Sequence, residues 1–247
     1  MLKKIVRKLT GSAPAAPFQR IPEEKEIQPI RQLVPGFLHE GNLWLLDKAV
    51  SRLQPGQYML EVGAFCGLSA SLIAFFSRKH RKECPLISVD IWKLYGYKDD
   101  EVIPGLGISY SDYRRHMMRT CQSNISFFSA GLPAFSIEAY SDDFFSRWKQ
   151  HAIPEIPFRQ NDKGLGFAFI DGDHRYDQAR KDFLHVDSLL IRSGLILFDD
   201  SADHIYIPGD CEVSRLIREI LATGAYRVVG CNPNYLLEKV SDNPIQL

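Results

Sequence analysis

The stretch Tyr58-Met-Leu-Glu61-Val62-Gly63-Ala64-Phe65-Cys66-Gly67-Leu68-Ser69 decides the fold. Its first half is apolar and strand-like, its middle is a glycine turn, and its end opens a helix over Leu68–Arg78. Gly63 permits a tight turn, and Gly67 lets backbone approach a ligand. The helix start that follows offers free N–H groups. The glycine spacing is not the G-x-G-x-x-G of a dinucleotide loop. An acid, Glu61, stands before the glycines, and Asp90 ends the next apolar run, Pro85-Leu-Ile-Ser-Val-Asp90. A carboxylate at that strand end can accept both hydroxyls of a ribose. An acid ahead of the turn suits a cationic ligand better than a pyrophosphate, which it would repel.

Outward from this unit the chain alternates. Helices are expected near Leu43–Leu53, Tyr110–Asn124, Ser136–Lys149, Asp177–Leu190 and Cys211–Ala222. Strands are expected at Ile125–Phe128, Gly166–Asp171 and Gly194–Asp199, and a closing hairpin over Tyr226–Val229 and Tyr235–Val240 turns at Asn232-Pro-Asn234. Apolar strands separated by amphipathic helices imply a sheet covered on both faces. The expectation is α/β: a Rossmann-like, doubly wound, seven-stranded sheet, mostly parallel, with an antiparallel C-terminal hairpin strand. Residues 1–36 are basic, then proline-rich, and 11–35 read as an extended lead-in before a domain over 37–247. Ile91–Ser109, Ile153–Leu165 and His204–Asp210 are connections of the kind that carry specificity.

Lys+Arg and Asp+Glu both number 30 in 247 residues, so no general attraction for nucleic acid follows. Cys66, Cys84, Cys121, Cys211 and Cys231 are an odd set, widely spaced and without a CxxC pair. That argues against a disulfide framework or structural zinc and for a reducing, cytoplasmic home. Residues 1–10 are faintly amphipathic, which leaves open a frayed terminus or peripheral contact with a membrane.

Phe169-Ile-Asp171-Gly-Asp173-His174 and Leu197-Phe-Asp199-Asp200 end two neighbouring strands in this scheme. Carboxylates gathered at one rim repel one another unless a cation or proton intervenes. All-oxygen donors favour a hard ion such as Mg²⁺.

Glu61–Ser69 resembles motif I of class I S-adenosylmethionine (SAM) dependent methyltransferases, and Asp90 resembles their ribose-binding acid. The Ile-Asp-Gly-Asp-His and Phe-Asp-Asp pair resembles the group that includes macrocin O-methyltransferase and related Mg²⁺-dependent antibiotic-sugar O-methyltransferases. The resemblance implies SAM contacts at Glu61, Gly63, Ala64, Phe65, Gly67, Ser69, Asp90, Ile91 and Asp171, with Ser129 and Ala130 as candidates beside the adenine. It implies Asp171, Asp199 and Asp200 as Mg²⁺ ligands and Asp173 as the catalytic base. His174 and Ser201 depart from the sugar enzymes, so His174 or His204 stands as an alternative base. The implied reaction is methylation of a hydroxylated small molecule such as a sugar or glycoconjugate. A nicotinamide-dependent oxidoreductase, or a SAM-fold binding protein without transfer, are the alternatives. A homo-oligomeric state is left open.

Overall fold

The computed structural model describes residues 18–93, 96–159, 162–202 and 211–247. Among the described residues, fourteen elements follow one another: α1 (Glu24–Leu33), α2 (Glu40–Ser51), β1 (Gln57–Val62), α3 (Leu68–Lys79), β2 (Leu86–Asp90), α4 (Tyr110–Ser129), β3 (Ala134–Glu138), α5 (Ser141–Lys149), β4 (Gly164–Ile170), α6 (Tyr176–Leu189), β5 (Leu190–Phe198), α7 (Glu212–Ala222), β6 (Tyr226–Cys231) and β7 (Tyr235–Lys239). The seven strands form one sheet in the order β3-β2-β1-β4-β5-β7-β6. Five pair in parallel, while β7 lies antiparallel to both β5 and β6. The doubly wound scheme with a closing hairpin is therefore what the chain adopts.

Strand side chains alternate between faces, and here the alternation sorts the core. Met59, Leu86, Phe167, Phe169, Leu195 and Leu197 face α2, α3 and α4. Leu60, Ile87, Val89, Ala168, Ile170, Ile196 and Phe198 face α5, α6 and α7. The same alternation continued toward the carboxyl ends leads to Glu61, Asp90, Asp171 and Asp199, with Ser88 between Leu86 and Asp90. The same periodicity that buries the apolar residues thus carries the acids onto the α2–α4 side of the carboxyl rim. Among the described residues, no helix is long and apolar enough to cross a membrane.

Two expectations are corrected. Ile125–Phe128 is not a strand but the last turns of α4. Met117, Cys121, Ile125 and Ser129 are buried at four-residue spacing, a helical stripe that anchors the short apolar run to the helix before it. The third strand is Ala134–Glu138, in a segment read partly as helix. The lead-in is also not extended throughout. Ile27, Ile30 and Val34 are buried against the domain, so α1 forms despite Pro29 at its middle. Burial of three branched side chains outweighs the lost hydrogen bond of one proline. Residues 1–10, with their membrane reading, lie outside the described residues.

Candidate active site

The rim is built by hydrogen bonds that continue the sheet past the strand ends. Gly63 N–H donates to Val89 O at 2.9 Å, Asp171 N–H to Val62 O at 2.8 Å, and Asp199 N–H to Ile170 O at 3.0 Å. Gly63 sits at φ +91°, and a Cβ there would stand 2.0 Å from the carbonyl oxygen of Asp171. Only glycine lets the first loop cross the Asp171 loop at this distance. Gly67, at φ +85°, caps α3 without a side chain, leaving the first amides of that helix uncapped.

Asp90 braces this loop. Its Oδ2 accepts from the amides of Ala64 and Phe65, each at 2.8 Å, and its Oδ1 accepts from Trp92 N–H at 2.6 Å. A carboxylate offers about four acceptor positions, so three are spent on the backbone. Trp92, buried, donates its indole N–H to Phe65 O at 2.6 Å and closes the loop from behind. The sequence reading made Asp90 a ribose acceptor. What the structure shows is Asp90 fixing the shape of the loop.

Glu61 lies beneath the loop, fully buried, with no hydrogen-bond partner for either carboxylate oxygen. Cross-strand register places Ser88 beside it and Ser136 beyond, and both hydroxyls are likewise buried and unpartnered. Burial pushes the Glu61 carboxyl up to about 7.

The adenine candidates Ser129 and Ala130 fall at the wrong end. Ser129 closes α4 and precedes β3, so it sits at the amino end of that strand. Its carbonyl accepts from Arg78 at 3.1 Å. At the carboxyl end, a cleft of about 440 Å³ is lined by Ile91, Glu138, Ala139, Tyr140, Asp143 and Arg147 among others. Arg114 ties its two edges together, donating to Ile91 O at 2.9 Å and pairing with Glu138. Ile91 was singled out in the sequence, and the misplaced third strand is the reason Glu138, Ala139 and Tyr140 were not.

Asp171, His174, Asp199 and Asp200 do meet. His174 Nδ1 lies 2.5 Å from Asp200 Oδ2, and its Nε2 lies 3.5 Å from Asp171 Oδ1, buried and without a hydrogen bond. Burial alone would lower the imidazole. The two carboxylates outweigh it and hold His174 at about 10, so it is charged at neutral pH. Burial pushes Asp171 and Asp199 up; the neighbouring Asp199 adds to the rise of Asp171, and the Asp200 charge adds to that of Asp199. The hydrogen bond from His174 holds Asp200 down. Asp200 also takes a left-handed φ of +51°, uncommon for a residue with a side chain and frequent at functional sites.

Asp173 departs from its expected freedom. Both of its oxygens are held by the Arg175 guanidinium, and Oδ1 also accepts from the Arg175 N–H at 3.0 Å. That pairing holds its carboxyl below the usual range and weakens it as a base. His204 lies outside the described residues.

Among the described residues, no three His, Cys, Asp or Glu side chains already converge as metal ligands. The chemistry of the donor set nonetheless fits a hard cation. Three carboxylates, Asp171, Asp199 and Asp200, share one partly buried rim. One imidazolium offsets only one of the three.

The sequence reading missed two residues here. Asn42, from α2, donates to Asp199 Oδ1 at 2.5 Å, and Asn234, from the β6–β7 turn, donates to the same oxygen at 2.7 Å. A polar residue at the head of an apolar helix was the only signal for Asn42, and Asn234 had none.

A mostly parallel seven-stranded sheet with an acid-flanked glycine loop and acids on the next strand ends is the architecture of a SAM-dependent methyltransferase. Residues 60–201 match the profile of the family described as "Methyltransferase domain". That is more than half of the chain, and the chain belongs to this family. Among solved structures, the fold is similar to an O-methyltransferase from Bacillus cereus in complex with SAH (14% identity, 97% of each chain, TM-score 0.55). It is similar to the SAH-bound methyltransferase PaMTH1 of Podospora anserina (13% identity, 97% of this chain and 95% of that one, TM-score 0.55). CalS11, a TDP-rhamnose 3'-O-methyltransferase of calicheamicin biosynthesis, matches at 15% identity over 96% of this chain and 92% of its own, TM-score 0.51. At these identities the likeness is one of fold. A curated relative, uncharacterized protein R132 of Acanthamoeba polyphaga mimivirus, is 35% identical over 88 residues. That match takes in 33% of this chain and 39% of the relative, so the chain spans well under half of its length.

Proposed function

We propose that the protein transfers the methyl group of SAM to a hydroxyl of a small molecule such as a sugar or glycoconjugate. The observation that carries this reading is the junction at the rim. The Gly63 turn lies against the Asp171 backbone, so a SAM held by the glycine loop would have its reactive end beside Asp171, His174 and Asp200. In this reading Gly63, Ala64, Phe65, Gly67 and Ser69 form the cradle, shaped by Asp90. The cleft at Ile91 and Glu138–Tyr140 takes the adenine. Glu61 supplies negative charge under the cationic cofactor.

Asp171, Asp199 and Asp200 are the residues that would hold Mg²⁺. Such an ion, when bound, supplies Lewis-acid polarisation of the acceptor hydroxyl. Asp173 is engaged by Arg175, and His174 stands among the rim acids; to act as base, His174 must first give up the proton that Asp171 and Asp200 hold on it. The sugar class rests on the resemblance of 169–200 to the sugar enzymes and on the fold shared with CalS11.

Calorimetry with SAM, SAH and NADH tests the cofactor. Incubation with methyl-labelled SAM and a panel of nucleotide sugars and hydroxylated aromatics then tests the acceptor. Binding of SAM and SAH but not NADH, followed by label on a sugar hydroxyl, is the expected outcome. Tight NADH binding without SAM binding would sink the reading.

A further inference from the structure

We propose that Asn42 and Asn234 are positioning residues of the reaction centre, which turn Asp199 so that one oxygen is anchored and the other, Oδ2, is left for a divalent cation. The inference rests on the metal reading above. It comes from a hydrogen-bond chain whose direction is fixed at one end. The Ala202 backbone N–H is a donor only, and it lies 3.1 Å from Asn234 Oδ1. That contact settles which way the Asn234 amide points. Its Nδ2 must then face inward, where it donates to Asn42 Oδ1 at 3.0 Å and to Asp199 Oδ1 at 2.7 Å. With its own Oδ1 accepting, Asn42 must present Nδ2 to Asp199 Oδ1, at 2.5 Å.

Two N–H donors thus converge on a single carboxylate oxygen. All three side chains are buried, Asn42 entirely, so the geometry is not averaged by solvent. Both donors are neutral. They orient the carboxylate and satisfy half of it without cancelling its charge, as outer partners of metal-ligating carboxylates do. Neighbouring contacts hold the donors in place. A Cβ on Gly41 would stand 1.6 Å from Asn232 O, so glycine is what lets the head of α2 meet the hairpin turn. The Asn232 amide donates to Gly41 O at 3.0 Å and to Gln19 O at 2.7 Å. Ser201 Oγ lies 3.3 Å from Asn234 Oδ1 and donates to Phe198 O at 2.8 Å.

The test measures Mn²⁺ binding to the full chain by calorimetry and by electron paramagnetic resonance of the free ion. It compares wild type with Asn234→Ala and with Asn42→Leu, which keeps volume in the buried site. SAM affinity is measured in parallel. Loss of such an outer partner lowers metal affinity by roughly tenfold to a hundredfold, and that loss is expected in both variants with SAM affinity kept. Variants that bind Mn²⁺ like wild type overturn the assignment. So does parallel loss of SAM and Mn²⁺ in both, which would make the asparagines merely structural. Wild type that takes up no Mn²⁺ refutes the metal reading itself, a result distinct from the others because it needs no variant.

Discussion

Replacing Glu61 by Gln should stabilise the protein in alkaline buffer and leave it nearly unchanged in acid. Glu61 is fully buried, and neither carboxylate oxygen has a hydrogen-bond partner. Burial moves its carboxyl from 4.5 to about 7. Between those values the folded protein holds a proton that the unfolded chain has released, so stability falls as pH rises through the interval. At about 1.4 kcal/mol per pH unit, the loss amounts to roughly 3 kcal/mol and is complete above the upper value. Glutamine has nothing to release and escapes it. Urea unfolding followed by tryptophan fluorescence, at pH steps from 4 to about 8.5, would trace both proteins. All other titrating groups are shared, so they cancel in the difference. The two curves should meet near the acid end and separate by roughly 3 kcal/mol at the alkaline end. Curves that stay parallel, or a variant less stable at high pH, would refute the reasoning. The same experiment bears on function. If the buried charge serves the cationic cofactor, SAM should bind wild type more tightly than Glu61→Gln at alkaline pH, reversing the order of stabilities.

Other outcomes follow from the same contacts. Asp90→Ala frees the amides of Ala64, Phe65 and Trp92, and SAM affinity should drop roughly tenfold to a hundredfold, with faster hydrogen exchange at those amides as the mark of a loosened loop. A chain starting at Gln28 loses the buried Ile21 and Ile27, and its melting temperature should fall by many degrees, since deletion of one such side chain costs about 2–5 kcal/mol. Asp173→Asn should lower methyl transfer less than His174→Asn, because Asp173 is already neutralised by Arg175; the ratio of the two turnover rates measures it.

The sequence made the rim legible because strand periodicity is strict. Once β1, β2, β4 and β5 are placed, the side chains of Glu61, Asp90, Asp171 and Asp199 must share a face. What it hid depends on other kinds of contact. Ile125–Phe128 is too short to tell strand from helix without the turns before it, and that single error placed the adenine candidates Ser129 and Ala130 at the amino end of β3. Prolines masked α1, since burial of Ile27, Ile30 and Val34 is a tertiary effect. The Asp173–Arg175 pair spans two residues, yet its formation depends on the loop conformation that follows β4.

Asn42 and Asn234 show the deepest limit. They are 192 positions apart, and both lie outside the family-matched segment 60–201. That segment supplies the glycine loop and every acid at the rim, but it does not supply the groups that orient Asp199. Those come from the head of α2 and from the closing hairpin, joined through Gly41 and Asn232. A carboxylate that is buried and aimed needs donors from more than one direction, and a strand end offers backbone on one side only. The helix ahead of the methyltransferase core and the hairpin behind it are therefore parts of the site.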